Sequence, residues 1–250
     1  MRPIFIRSLT LLLGMTLAIS VQAGIVLNTT RVIYPATDKE VSLGIQNSGS
    51  GEILAQSWLE SDVENPDADP AGLPFVITPA LTRMSGNAKQ LVRIIYAGSG
   101  LPQHRESVFW LNVQEIPQTA DENVLQIAIR QRIKVFFRPV GLPGDPLEAP
   151  GNLEWRLIDG GTLEVSNPGP YHVSMVQIGV QRGATRLLQE DSRMLAPLQR
   201  VRFPIEHSAQ RDPATLRFIA INDFGAQVPY HAVLADASSK LATKAVPQPD

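Results

Sequence analysis

Cysteine is absent from the chain, which removes disulfides, thiolate nucleophiles and zinc–thiolate sites together. Histidine is scarce. His104, His172, His207 and His231 stand far apart, with no HExxH and no pair at ligand spacing, so surface or capping roles are expected and no metal site. Excess charge is missing too: a net charge of −2 leaves no electrostatic footprint for nucleic acid. Neither GxSxG nor a phosphate-cradling glycine loop occurs. The acidic cluster Asp62, Glu64, Asp67 and Asp69 lacks the glycine turn and terminal glutamate of a calcium loop. Nothing points to an enzyme, and no cofactor is expected.

Long apolar runs are limited to one, from Leu9 to Val21, behind Arg2 and Arg7 and ahead of Val21-Gln22-Ala23. A basic start, a short apolar middle and small residues at the last and third-last positions predict a secretory signal over residues 1–23. The run is short for a membrane span and has no stop-transfer flank. Stable membrane insertion is therefore not expected, and the periplasm is the expected compartment.

What the chain does have is short alternating apolar runs punctuated by Gly, Pro, Asn and Asp. Gly24–Tyr34, Val41–Ile45, Ile53–Leu59, Phe75–Thr78, Gln90–Tyr96 and Ser107–Val113 come first. Pro79–Gly86 is read as a short turn. Residues 139–152 then break the pattern with clustered prolines and glycines. Further runs follow at Leu153–Leu157, Thr162–Ser166, Val173–Val180, Arg186–Leu188, Val201–Ile205, Thr215–Asn222 and Val228–Leu234. Strands at this spacing predict an all-β protein of two antiparallel sandwiches. The boundaries are placed at 24–140 for the first domain, 141–152 for a proline-stiffened linker, 153–236 for the second domain, and 237–250 for a disordered tail.

The stretch Asn123–Pro139, NVLQIAIRQRIKVFFRP, is the most informative. Leu125, Ile127 and Ile129 alternate with small or polar residues, while Val135, Phe136 and Phe137 are apolar at consecutive positions and read as core on both faces. Alternation alone leaves two readings open. One is an ordinary half-buried strand; the other is an edge that lends its aliphatic knobs to another protein by strand addition. Two cations on apolar strands, Arg31 and Lys134, must face solvent or an anion, because an unpaired buried charge is costly. Together they suggest one anion site between the domains.

The segment Leu101–Gln118, LPQHRESVFWLNVQEIPQ, resembles the signature of periplasmic pilus chaperones of the chaperone–usher pathway, with Arg105-Glu106-Ser107, Trp110, Asn112 and Ile116-Pro117 in their expected places. His104 and Gln118, at its ends, depart from it. The likeness extends to Thr30–Pro35, Ile133–Pro139, Ser166–Tyr171 and Ile221–Gly225. The resemblance implies two immunoglobulin-like β-sandwich domains arranged as an L. It implies that Leu125, Ile127 and Ile129 are knobs donated to an incomplete pilus subunit, and that Arg31 and Lys134 hold the subunit's terminal carboxylate. Glu106, Arg138 and Asp223 match an inter-domain charge network. The implied partners are pilus subunits, a tip adhesin among them, and an outer-membrane usher, with self-association as one way for the free protein to cover its edge. The short Glu115–Glu122 connection resembles the short-loop branch, which serves thick pili.

Each fully buried aliphatic contributes about 1.5–3 kcal/mol, so three knobs supply roughly 5–9 kcal/mol before ordering costs. The rival reading is an exported carbohydrate-binding or surface structural sandwich. It needs an exposed aromatic platform, and Trp58, Trp110 and Trp155 all sit in apolar runs and read as core.

Overall fold

The computed structural model describes residues 24–61, 72–118, 127–158, 161–205, 213–234 and 244–248. The expected signal segment, the acidic cluster, His207 and Leu125 lie outside these residues. No described helix is long and apolar enough to cross a membrane.

The first half of the chain contributes β1 (Ile25–Leu27), β2 (Arg31–Pro35), β3 (Glu40–Asn47), β4 (Ile53–Ser61), β5 (Phe75–Thr78), β6 (Leu81–Met84), β7 (Lys89–Tyr96), β8 (Ser107–Pro117) and β9 (Arg130–Arg138). They form two sheets, in the orders β1-β3-β7-β5 and β2-β9-β8-β4-β6. Inward-facing residues of both sheets make one core: Tyr34, Leu43, Val92, Ile94, Leu111, Val135 and Phe137 have no exposed surface. The second half contributes β10 (Glu154–Ile158), β11 (Thr162–Ser166), β12 (Val173–Arg182), β13 (Thr185–Leu195), β14 (Arg200–Pro204), β15 (Ala214–Ile221), β16 (Gln227–Leu234) and β17 (Val246–Pro247). These form sheets β10-β11-β14 and β13-β12-β15-β16-β17 around a separate core that includes Trp155, Leu163, Ile178 and Phe218. Two sandwiches follow from period-two burial along nearly every strand, each inner face closed by the other sheet.

Several local differences from the sequence reading have physical causes. Gly24–Tyr34 is two strands in different sheets. Asn28 ends β1, its backbone N–H donating to the Gly44 carbonyl and its side-chain carbonyl accepting from the Gly44 N–H. Pro79–Gly86 holds the strand β6, which pairs with β4, rather than only a turn. β13 runs well past Leu188, because an edge strand bonded only to β12 tolerates the polar run Gln189-Glu190-Asp191-Ser192. The expected disordered tail is corrected at residues 244–248. Val246 and Pro247 pair with His231 and Tyr230, and the small Ala245 is buried, so a short apolar segment docks where composition suggested none would. The linker is held by more than proline. The Tyr171 hydroxyl shares its proton between the carbonyls of Leu142, at 3.3 Å, and Gly144, at 3.2 Å, and a 3-10 turn follows at Ala149–Asn152.

β9 changes character along its length. Ile133, Val135 and Phe137 enter the core, whereas Ile127 and Ile129, just before the strand, are 68% and 46% exposed. A core truncation and an edge truncation should therefore differ. Leu111→Ala should cost about 2–5 kcal/mol of stability, and Ile127→Ala less than about 0.5 kcal/mol, by denaturant unfolding of the protein without any partner.

Candidate functional site

Where the domains meet, strand ends bring charged side chains together. Glu106 precedes β8, and Arg138 ends β9. Register places Ser107 opposite Phe137, so their neighbours share one end of the sheet. Arg138 Nε and Nη2 donate to Glu106 Oε1 at 3.0 and 2.8 Å, while Nη1 and Nη2 donate to the two carboxylate oxygens of Asp223 at 2.7 and 3.1 Å. The fork of one guanidinium thus binds a carboxylate from each domain, the geometry in which arginine is strongest. Burial works to lower the Arg138 pKa, but the hydrogen bonds and charges of Asp223 and Glu106 prevail and hold it above its ordinary value.

Sequence reasoning missed the fourth member. The second oxygen of Glu106, whose side chain is 1% exposed, accepts from the His172 backbone N–H at 2.8 Å and lies 2.9 Å from His172 Nδ1. His172 is thus no surface histidine; its ring also lies against Phe136, with centroids 5.6 Å apart. The available signal was its place directly after Tyr171, in a segment already singled out. Phe136 is likewise not sandwich core but is buried at the domain joint. Gly225 seals the other side: its φ is 81°, and a Cβ there would meet the Thr30 hydroxyl at 2.9 Å, so only glycine fits.

Arg31 and Lys134 occupy directly opposed positions of the parallel β2–β9 pair. Arg31 is 8% exposed, its Nη1 donates to the Ile221 carbonyl at 2.8 Å, and its guanidinium lies 5.8 Å from the Phe136 ring. Burial lowers the Arg31 pKa, opposed by the charges of Asp223 and Glu106. Lys134 Nζ sits 5.3 Å from the Trp110 ring and lines a cleft of about 220 Å³ with Ser174, Met175 and Ile221 of the second domain. Ser174 and Ile221 also line the adjoining pocket that contains Arg31. Arg31 Nε and Ser174 Oγ are buried with no hydrogen-bond partner among the described residues. Nothing in the sequence marked Ser174. It faces the cleft through the parity of β12 and the packing of a distant domain.

The tryptophan reading needs correction. Trp155 is core, but Trp58 and Trp110 are half-buried on the outer face of their sheet, because Phe109, Leu111 and Val113 take the inward parity of β8. They form no open aromatic platform, since Arg130 lies over Trp58 and Arg132 and Lys134 lie over Trp110. No group of residues suited to a metal ion occurs among the described residues.

Ile129 lies beside β8, where the Glu115 N–H donates to its carbonyl at 2.9 Å. β2 joins the opposite edge of β9 only from Lys134 onward, so residues 127–133 have no β2 partner. Residues 119–126, which bear on the expected loop length, lie outside the described set.

Removing Arg138 would leave the Glu106 carboxylate buried and short of donors. Arg138→Ala should lower stability by about 3–5 kcal/mol and let the domains move apart. Denaturant unfolding and solution scattering check this; an unchanged midpoint with an unchanged radius of gyration would remove the network's role.

Comparison with known proteins agrees with this geometry. Residues 24–143 match the family model described as the pili and flagellar-assembly chaperone, PapD N-terminal domain, and residues 148–232 match that of the pili assembly chaperone PapD, C-terminal domain. The chain is 37% identical over 230 residues to the chaperone protein FimB/FhaD of Bordetella pertussis, covering 88% of this chain and 92% of that one. It is 36% identical to the probable fimbrial chaperone YadV of Escherichia coli, covering 85% of this chain and 90% of that one. A crystal structure of the YadV chaperone superimposes with a TM-score of 0.72, over 85% of this chain and all of that one. The SafB chaperone of Salmonella enterica, solved in complex with the SafA pilin, gives 0.69 at 27% identity, over 84% of this chain and 96% of that one. With both domains matched in order and relatives aligned over nearly their whole length, this chain belongs to the PapD family of pilus-assembly chaperones.

Proposed function

We propose that this protein binds and caps pilus subunits in the periplasm by donating the edge around β9, and passes them to an outer-membrane usher. Its clients are pilins, a tip adhesin among them, and it works by binding alone, with no chemical step. The observation that carries this reading is the run of β9 from exposed aliphatics to paired cations. Ile127 and Ile129 are exposed just before the strand, and in the sequence Leu125 shares their parity. The edge they flank has no β2 partner until Lys134, where Arg31 stands opposite.

A strand added to that edge takes the line of β2. In the orientation of β2, parallel to β9, it runs toward Arg31 and Lys134, so a carboxylate at its end arrives between two cations. Arg31 Nε and Ser174 Oγ, buried without partners, are ready donors for such an anion. Anchoring the terminus also sets register, because a one-residue slip would turn every knob to the wrong face. Backbone bonding tolerates varied sequence, which suits one chaperone to several subunits. The Glu106–Arg138–Asp223 cluster fixes the angle between domains. The short stretch of sequence between the end of β8 and Leu125 fits the branch that assembles thick pili, and without a client the exposed edge favours self-association. Capped tryptophan faces count against the carbohydrate-binding alternative, since sugar stacking needs an open ring.

Arg31→Ala and Lys134→Ala should each leave the β-sheet circular dichroism intact and weaken subunit binding at least tenfold, since truncating one partner of a buried charge pair costs about 2–5 kcal/mol. Co-purification from periplasm with a pilin-like protein reads this out. Normal recovery of that protein by the double variant would overturn the anchor.

A further inference from the structure

The outer face of the β2-β9-β8-β4-β6 sheet carries a layer of cations laid on indoles. The guanidinium of Arg132 lies 4.2 Å from the Trp110 ring centroid, and that of Arg130 lies 5.6 Å from that of Trp58. Trp58 Nε1 donates to Glu60 Oε1 at 3.0 Å, and Arg132 Nη2 is 3.5 Å from Glu60 Oε2. The hydrogen bond from Trp58, with the charges of Arg130 and Arg132, holds the Glu60 carboxyl below the usual carboxylate range. Glu60 thus stays ionised. Set against Arg130, Arg132 and Lys134, it leaves this strip with a surplus of positive charge.

Stacking on a ring orders a guanidinium while leaving its N–H edges outward, so less freedom is lost when it meets a carboxylate. Trp58 and Trp110 therefore work as supports for charge rather than as sugar platforms. The outward side chains of β9 at Arg130, Arg132 and Lys134 alternate with Gln131 and Ile133. A strand added parallel to β9 and ending near Lys134 brings its own outward side chains level with Arg132 and Arg130, roughly two and four residues before its terminus.

We propose that Arg130 and Arg132, supported by Trp110 and Trp58, form a specificity surface that selects pilus subunits whose final strand carries acidic side chains at these outward positions. This rests on the donor-edge reading above, but it is a separate property. The edge and anchor accept a strand; the cation layer chooses among strands by charge.

The test uses three short synthetic peptides with a free C-terminal carboxyl group and identical alternating apolar residues. They differ only at the two outward positions nearest the terminus, which are both Glu, both Gln or both Lys. The wild-type protein should bind the Glu peptide about fivefold more tightly than the Gln peptide, and the Lys peptide more weakly still, from two cross-strand charge pairs. Raising the salt concentration should shrink the differences. The Arg130→Ser, Arg132→Ser double variant, which changes two exposed side chains, should bind the three alike. Equal binding of all three by the wild-type protein would overturn the specificity surface and leave the donor edge standing. So would a charge preference that persists in the double variant. Failure of all three peptides to bind would overturn the donor edge itself, and this inference with it.

Discussion

The buried carboxylate of Glu106 is the constraint on which the two-domain arrangement depends. A carboxylate with 1% exposure needs donors on every side, and no single domain supplies them all. Arg138 comes from the first sandwich and His172 from the second, while Asp223 completes the neutralisation of Arg138 across the joint. Each removal strands a charge in low dielectric, so the cluster resists opening more than the sum of its bonds suggests.

The same strand transmits that constraint to the binding edge. Arg138 is the last residue of β9, Phe136 is buried at the joint, and Lys134 lines the cleft two residues earlier. Fixing the C-terminal end of β9 against the second domain therefore fixes where Lys134 sits relative to Ser174 and Ile221, and how far the open edge lies from the cleft. On the proposed reading, a terminal carboxylate would meet a preformed cleft and avoid the ordering cost that a hinged site would carry.

Much of this was legible in sequence because parity is local. Strand positions follow from alternation and turn residues, and the motif around Glu106 and Trp110 points to the family on sequence alone. What parity cannot say is which face is covered, and by what. Phe136 looked like core because it is apolar between Val135 and Phe137, yet the second domain buries it. Trp58 and Trp110 looked like core in apolar runs, yet their partners are the arginines and lysine of β9. His172 takes its carboxylate partner from 66 positions away and Ser174 takes its cleft from other strands, beyond the reach of any local pattern. The docked segment at 244–248 was hidden for a related reason: a few small apolar residues suffice when a waiting edge, here β16, supplies the hydrogen bonds.

The donor edge at β9 is most directly tested by hydrogen exchange, measured on the free protein and on its complex with the pilus subunit that co-purifies with it. Amides of residues 127–133 that do not bond to β8 should exchange rapidly in the free protein and become protected in the complex, while those of residues 134–138 are protected in both. Slow exchange of residues 127–133 without the subunit, or no added protection with it, would contradict strand addition at this edge.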